Sequence, residues 1–259
     1  MHMLIAFCVL LAAEASDLES RLAAAAHDYD IAAAQVLLEE ARKEVAQDPS
    51  TANRLLLARA LLLVAELVRI DFEDLGDDAG RSERRALANR IDAAAREGIQ
   101  VADALGEISE AYRLRADFYG VMIRTKYQGK KYRNRMESNA ARAMELDPKN
   151  ACAYVSVARP FLFATPRQGG DLDKAFALLS KAVELEPKLE SARMLLAVAY
   201  EKRGEIEKAE AEWQKILTAN PKAIRSRQTL EIAGKVWSEI EENGNPGEED
   251  EYDDDNGDM

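Results

Sequence analysis

The stretch Leu196-Ala-Val-Ala-Tyr-Glu-Lys-Arg-Gly-Glu-Ile-Glu-Lys-Ala-Glu-Ala-Glu-Trp-Gln-Lys-Ile-Leu-Thr-Ala-Asn-Pro221 decides the fold. Leu196, Ala197 and Tyr200 fall on one helix face, and so do Ala209, Trp213 and Ile216. Gly204, between the two runs, supplies the left-handed residue on which a helix can end. Pro221 closes the second run, because the residue before a proline is pushed out of the α region. The stretch therefore reads as two short helices joined by a tight turn. Small Ala197 and Ala209 suit a close helix crossing, and bulky Leu196, Tyr200 and Trp213 suit the space between successive pairs.

Similar phrases recur upstream. Ala143-Met-Glu-Leu-Asp-Pro148, Ala182-Val-Glu-Leu-Glu-Pro187 and Ile216-Leu-Thr-Ala-Asn-Pro221 each end on proline, at intervals of 39 and then 34 residues. The last unit, with Leu196, Tyr200, Gly204, Ala209, Trp213 and Pro221, resembles the tetratricopeptide repeat, a helix-turn-helix unit of 34 residues. The unit before it has a strong second half, Gly170-Asp-Leu-Asp-Lys-Ala175 with Leu179, Ala182 and Leu185. Its first half, from Ala151 through Tyr154 and Ala158, is predicted to be interrupted at Arg159-Pro160, with a first-to-second-helix connection five residues longer than usual. The unit from Ser109 carries about eight extra residues, expected as a loop around Tyr127–Arg133.

Earlier segments match less closely. Thr51–Arg69 reads as a strongly apolar helix with Ser82–Leu105 as its partner, across an acidic insertion at Asp71–Gly80. Leu18–Gln47 is alanine-rich with a turn near Asp28-Tyr-Asp30, and Pro49 closes it. The resemblance implies an all-α fold, a superhelical solenoid of four to five stacked helix pairs, each burying its apolar face only against its neighbours. The predicted organisation is degenerate helical repeats over 16–108, tetratricopeptide-like repeats over 109–221, and a capping helix over 222–242 containing Trp237.

Composition agrees with that class. The chain of 259 residues holds 45 alanines and only 6% aromatics, favouring helix over strand. Asp and Glu total 47 against 35 Lys and Arg, a net charge of -12 that argues against a nucleic-acid partner. Ten acids and no Lys or Arg occur from Glu241 onward, so the body before them is nearly balanced, and 243–259 reads as an acidic disordered tail. At the other end, Met3–Ala13 is an unbroken apolar run followed by Ala13-Glu14-Ala15, the small-x-small pattern of a cleavage site. Eleven residues are too few to cross a bilayer, so 1–15 is expected to be a cleaved export signal rather than an anchor, with a periplasmic or secreted product. The initial Met1-His2 lacks the usual Lys or Arg, and a cytoplasmic protein with a buried first helix is the alternative.

Few residues offer chemistry. Two His and two Cys leave no set from which a His-based zinc site is readily built, and once the expected signal is removed a nucleophile–base pair would have to run through His27 in an alanine-rich helix. Gly129-Lys-Lys131 is followed by Tyr132 and lacks an upstream glycine at P-loop spacing. Gly169-Gly-Asp171 reads as a turn and helix cap. No enzyme activity, cofactor or metal is expected.

The resemblance implies a concave face lined by the first helix of each unit. On this sequence it assigns Arg113, Asp117, Val155, Arg159, Met194, Val198, Glu201 and Lys202 to a groove for a protein or peptide. The carboxylate clamp of chaperone adaptors is not matched, because Asp117 stands where that clamp needs a donor. A basic loop with Lys126, Lys130, Lys131 and Arg133, interleaved with Tyr127 and Tyr132, is the expected site for an anionic partner, the acidic tail included. The predicted role is a non-catalytic scaffold. The rival is a periplasmic accessory subunit of a solute (TRAP-type) transporter, oligomeric around a ligand cavity or pore.

Overall fold

The computed structural model describes residues 17–75 and 80–223. The expected signal, the acidic tail and all but the first two residues of the expected capping helix lie outside them. Among the described residues ten α-helices follow one another in five pairs, with no strand. They are α1 (Asp17–Asp28) with α2 (Ile31–Gln47), α3 (Thr51–Glu73) with α4 (Arg81–Asp103), α5 (Ser109–Val121) with α6 (Lys126–Leu146), α7 (Ala151–Phe163) with α8 (Leu172–Leu185), and α9 (Glu190–Lys202) with α10 (Ile206–Ala219).

Polar side chains set where several of these helices begin. Asp30, Thr125, Asn150 and Asp171 each accept a hydrogen bond from the backbone N–H three residues on, at 2.9–3.2 Å, opening α2, α6, α7 and α8. Each such bond satisfies a donor that the first turn leaves unpaired. Gly204, with φ +74°, ends α9 as its position in the repeat predicts.

The odd-numbered helices pack on one another in succession, and each even-numbered helix packs against its own partner and, up to α8, the next pair. α3 is enclosed by α1, α2, α4 and α5, which explains why its residues 56–70 are buried almost all round instead of on one stripe. Small residues sit where helices cross closely: Ala197 and Ala209 are buried, and a Cβ on Gly98 of α4 would lie 2.0 Å from the Phe118 ring of α5. Trp213 fills the space between α9 and α10 and donates from Nε1 to Glu201 Oε1 at 2.8 Å. Arg69 is fully buried and donates from one terminal nitrogen to the carbonyls of Val121 and Ile123, closing the end of α5.

Two sequence expectations change. The Tyr127–Arg133 segment is not a loop: it forms the first two turns of α6, so the extra residues lengthen the second helix of that pair. The Thr125 cap starts the helix early, and Tyr132 pins it by burying its ring on Tyr119, with centroids 6.0 Å apart. Pro160 does not interrupt α7, which runs through it to Phe163. Lying in the last turn, it removes one ladder bond, and its own carbonyl still accepts from Ala164 N. The five extra residues fall in the next connection, eight residues long at 164–171 against three at 203–205.

Candidate functional site

The odd-numbered helices pack on one another as a continuous wall, and the two ends of the stack meet. Asn220 Nδ2 donates to the carbonyl of His27 at 3.0 Å, and Tyr29 donates its hydroxyl to Glu190 at 3.2 Å. Lys222 pairs with Asp28 at 3.0 Å.

Six of the eight residues assigned to a concave groove are buried on this wall: Arg113, Asp117, Val155, Arg159, Met194 and Val198. Glu201 is half-buried and Lys202 exposed. The charged members bind each other. Arg113 grips Glu110 with two bonds of 2.8 Å and reaches Asp117 at 2.6 Å. Asp117 also accepts from Ser156 at 2.6 Å and from Arg159 at 3.2 Å, and Arg159 approaches Glu66 at 3.9 Å. Arg59 continues the chain, pairing with Glu110 and with Glu19 of α1. These contacts lace α1, α3, α5 and α7 together. Burial alone would lower the Arg113 pKa, but Glu110 and Asp117 beside it raise it well above its ordinary value, so the guanidinium stays charged.

The layer of even-numbered helices is electrostatically different. Three of the four acids of α4 engage neighbouring elements: Asp92 pairs with Arg124 just before α6 at 2.7 Å, Glu97 with Arg42 of α2, and Asp103 with Arg115 of α5 at 3.2 Å. Arg81, Arg85, Arg90 and Arg96 are exposed, and none has an ion-pair partner among the described residues. Arg81, Arg85 and Arg96 recur with Asn89 at helical spacing, and Asp92 falls on the same stripe. Because Asp92 reaches Arg124, this stripe borders the head of α6. There Lys130 and Lys131 are exposed without an ion pair among the described residues, and Tyr127 is 65% exposed. Arg133 instead bonds Glu137 at 2.6 Å, and Lys126 opens the helix. The Asp92–Arg124 pair thus links a stripe of three exposed α4 arginines, which the sequence alone does not single out, to the segment that opens the helix carrying two of the predicted basic residues. Arginines at 81, 85, 90 and 96 are visible in the sequence, but interspersed acids make the segment look balanced until their lateral pairing is known.

Among the described residues no cluster of His, Cys, Asp and Glu is arranged to hold a metal ion, and no helix is long and apolar enough to cross a membrane. Cys152 is buried.

Residues 167–230 match the family model of the tetratricopeptide repeat. The chain contains a tetratricopeptide repeat. Its fold is similar to the crystal structure of a thermophilic TPR protein of Thermus thermophilus, with a TM-score of 0.52 and 18% identity. The match covers 84% of this chain and 99% of that one, so the likeness of fold extends well beyond the repeat matched in sequence. No curated protein matches the chain. In this stack of helix pairs, then, the wall of odd-numbered helices is closed by its own ion pairs, while α4 and the head of α6 present exposed cations.

Proposed function

We propose that this protein is a non-catalytic scaffold that binds a polypeptide partner through an acidic stretch laid across α4 and the head of α6. One observation carries the reading: three of the four acids of α4 are engaged by neighbouring elements while Arg81, Arg85 and Arg96 face solvent, on a stripe whose Asp92 reaches Arg124 just before the helix that carries the exposed Lys130 and Lys131. Arginine suits such a surface, because its planar donor fork matches a carboxylate. The groove expected from Arg113, Asp117 and Arg159 is less suited, since those groups already satisfy one another. Export to the periplasm belongs to the proposal and rests on the apolar run Met3–Ala13.

Fluorescence anisotropy with a labelled Asp/Glu peptide of about twelve residues, close to half the length of α4, tests the surface. The full chain should bind it at low salt, with affinity falling steeply as ionic strength rises. The exposed triple variant Arg81→Glu/Arg85→Glu/Arg96→Glu should lose at least about tenfold, or roughly 1.4 kcal/mol, while keeping its helical circular dichroism. Equal affinity in the variant removes the proposed surface. Co-purification of a solute-transporter subunit instead of a separate polypeptide ligand would favour the accessory-subunit rival.

A further inference from the structure

The surface described above has a candidate occupant within the same chain. We infer that the acidic segment 248–258 docks in cis on the arginine stripe of α4 and the lysines at the head of α6, covering the surface until a more strongly bound acidic partner displaces it. This inference rests on the reading of that surface as a site for acidic polypeptide.

Charge complementarity is the first argument. Residues 248–258 hold eight acids and no Lys or Arg. Elsewhere many surface cations are already neutralised: Arg21 by Glu40, Arg42 by Glu97, Arg193 by Glu212, Arg203 by Asp173, Lys208 by Glu205 and Lys215 by Glu212. Among the described residues the exposed cations without an ion pair cluster on α4 and the head of α6, while others such as Lys43, Lys149 and Lys188 are scattered over different elements.

Reach is the second argument. Twenty-four residues separate Ala223 from Glu248. They span about 36 Å if wholly helical and up to about 80 Å if extended, and α4 itself is about 34 Å long. Either length matches or exceeds that of α4. Tethering supplies what individual contacts lack. One exposed ion pair contributes little and is screened by salt, but a tethered segment works at millimolar effective concentration, and several weak pairs then suffice for occupancy.

The experiment compares three full-length proteins in the anisotropy assay: the natural chain, a chain with every Glu→Gln and Asp→Asn over 248–258, and that neutralised chain carrying the three α4 reversals. The neutralised chain should bind the acidic peptide at least about tenfold more tightly than the natural one, and the reversals should abolish the gain. If natural and neutralised chains bind equally and both depend on the α4 arginines, the surface stands and tail docking is overturned. If neither binds, the surface itself fails and the docking with it. Carbodiimide coupling of the natural chain separates docking from a simple loss of repulsion. Carboxylates of 248–258 should couple to Lys130 or Lys131 within one chain, and high salt should prevent it. Coupling spread evenly over Lys43, Lys149 and Lys188, or found only between chains, overturns the inference.

Discussion

Asn220 donates from Nδ2 to the carbonyl of His27, a residue 193 positions earlier in the sequence. A stack of helix pairs normally touches only its neighbours, so this bond ties the two ends of a nearly one-dimensional object. Asn220 is 1% exposed; its Nδ2 also reaches Glu190 at 3.1 Å, and its Oδ1 accepts from Lys222 N at 3.1 Å. Asn220→Ala leaves the His27 carbonyl and Lys222 N without this partner. The expected loss is about 1–3 kcal/mol in urea unfolding. Hydrogen exchange should quicken at the end of α1 and the start of α9 while α5 is unchanged; uniform loss of protection would show that the clasp has no local character.

Tyr29 sits at the same junction with φ +53°, a conformation its type seldom adopts. Tyr29→Phe keeps the buried ring and removes the bond to Glu190. It should cost about 0.5–1.5 kcal/mol, and combining it with Asn220→Ala should cost less than the sum, because both bonds meet at Glu190. Additive losses in a double-mutant cycle would make the two contacts independent.

Asp117 is the single acid on which Arg113, Ser156 and Arg159 converge. Replacing it with Ala leaves two buried guanidinium groups short of a counter-charge, a change that costs about 3–5 kcal/mol in comparable buried pairs. Asp117→Ala should therefore unfold at markedly lower urea concentration. Adding Arg159→Met should recover part of the loss, because one stranded charge is removed. A double variant no more stable than the single one would show that packing, not charge, dominates there.

How much of this is legible in the sequence divides along a physical line. The helix pairs, the Gly204 turn and the Asp171 cap follow from periodicity and local chemistry, which one segment carries by itself. The fate of the wall residues does not. Arg113 and Asp117 are polar and correctly spaced for a groove, yet their burial depends on partners in α3 and α7, far away in sequence. The α6 extension reads as a loop because the repeat length is exceeded, and the spacing contains nothing about Tyr132 stacking on Tyr119. The α4 stripe is hidden in the same way: its net charge is a property of three lateral ion pairs, not of its own sequence.

Acid should weaken the wall at a defined point. Burial alone would raise the Glu110 carboxyl, but Arg113 and Arg59 override it and hold its pKa at about 2, against 4.5 for an unperturbed glutamate. A depressed carboxylate stabilises the fold fully above about pH 4.5, and that contribution disappears as pH falls through about 2. Glu110→Gln should cost at most about 3 kcal/mol at neutral pH, the equivalent of that shift. The gap between variant and natural protein should narrow below about pH 4.5. Urea midpoints at about pH 7, 4 and 3 check this, and a gap that stays constant would mean that Glu110 acts through shape alone.

Gly98 tests which of two opposing effects wins inside α4. Alanine there improves helix propensity by about 1 kcal/mol. Its Cβ, however, would stand 2.0 Å from Cζ of Phe118 and 2.4 Å from both neighbouring ring carbons. Phe118 is completely buried, so the ring cannot swing into solvent, and overpacking costs about 1–3 kcal/mol. Gly98→Ala should thus destabilise, whereas Gly80→Ala, with nothing within 4 Å of the new Cβ and a φ of -62°, should have little effect. The smaller side chain in Phe118→Leu should make Gly98→Ala less harmful, appearing as a favourable coupling in the double variant. If Gly98→Ala stabilises the natural background, the α4–α5 crossing is looser than its geometry indicates.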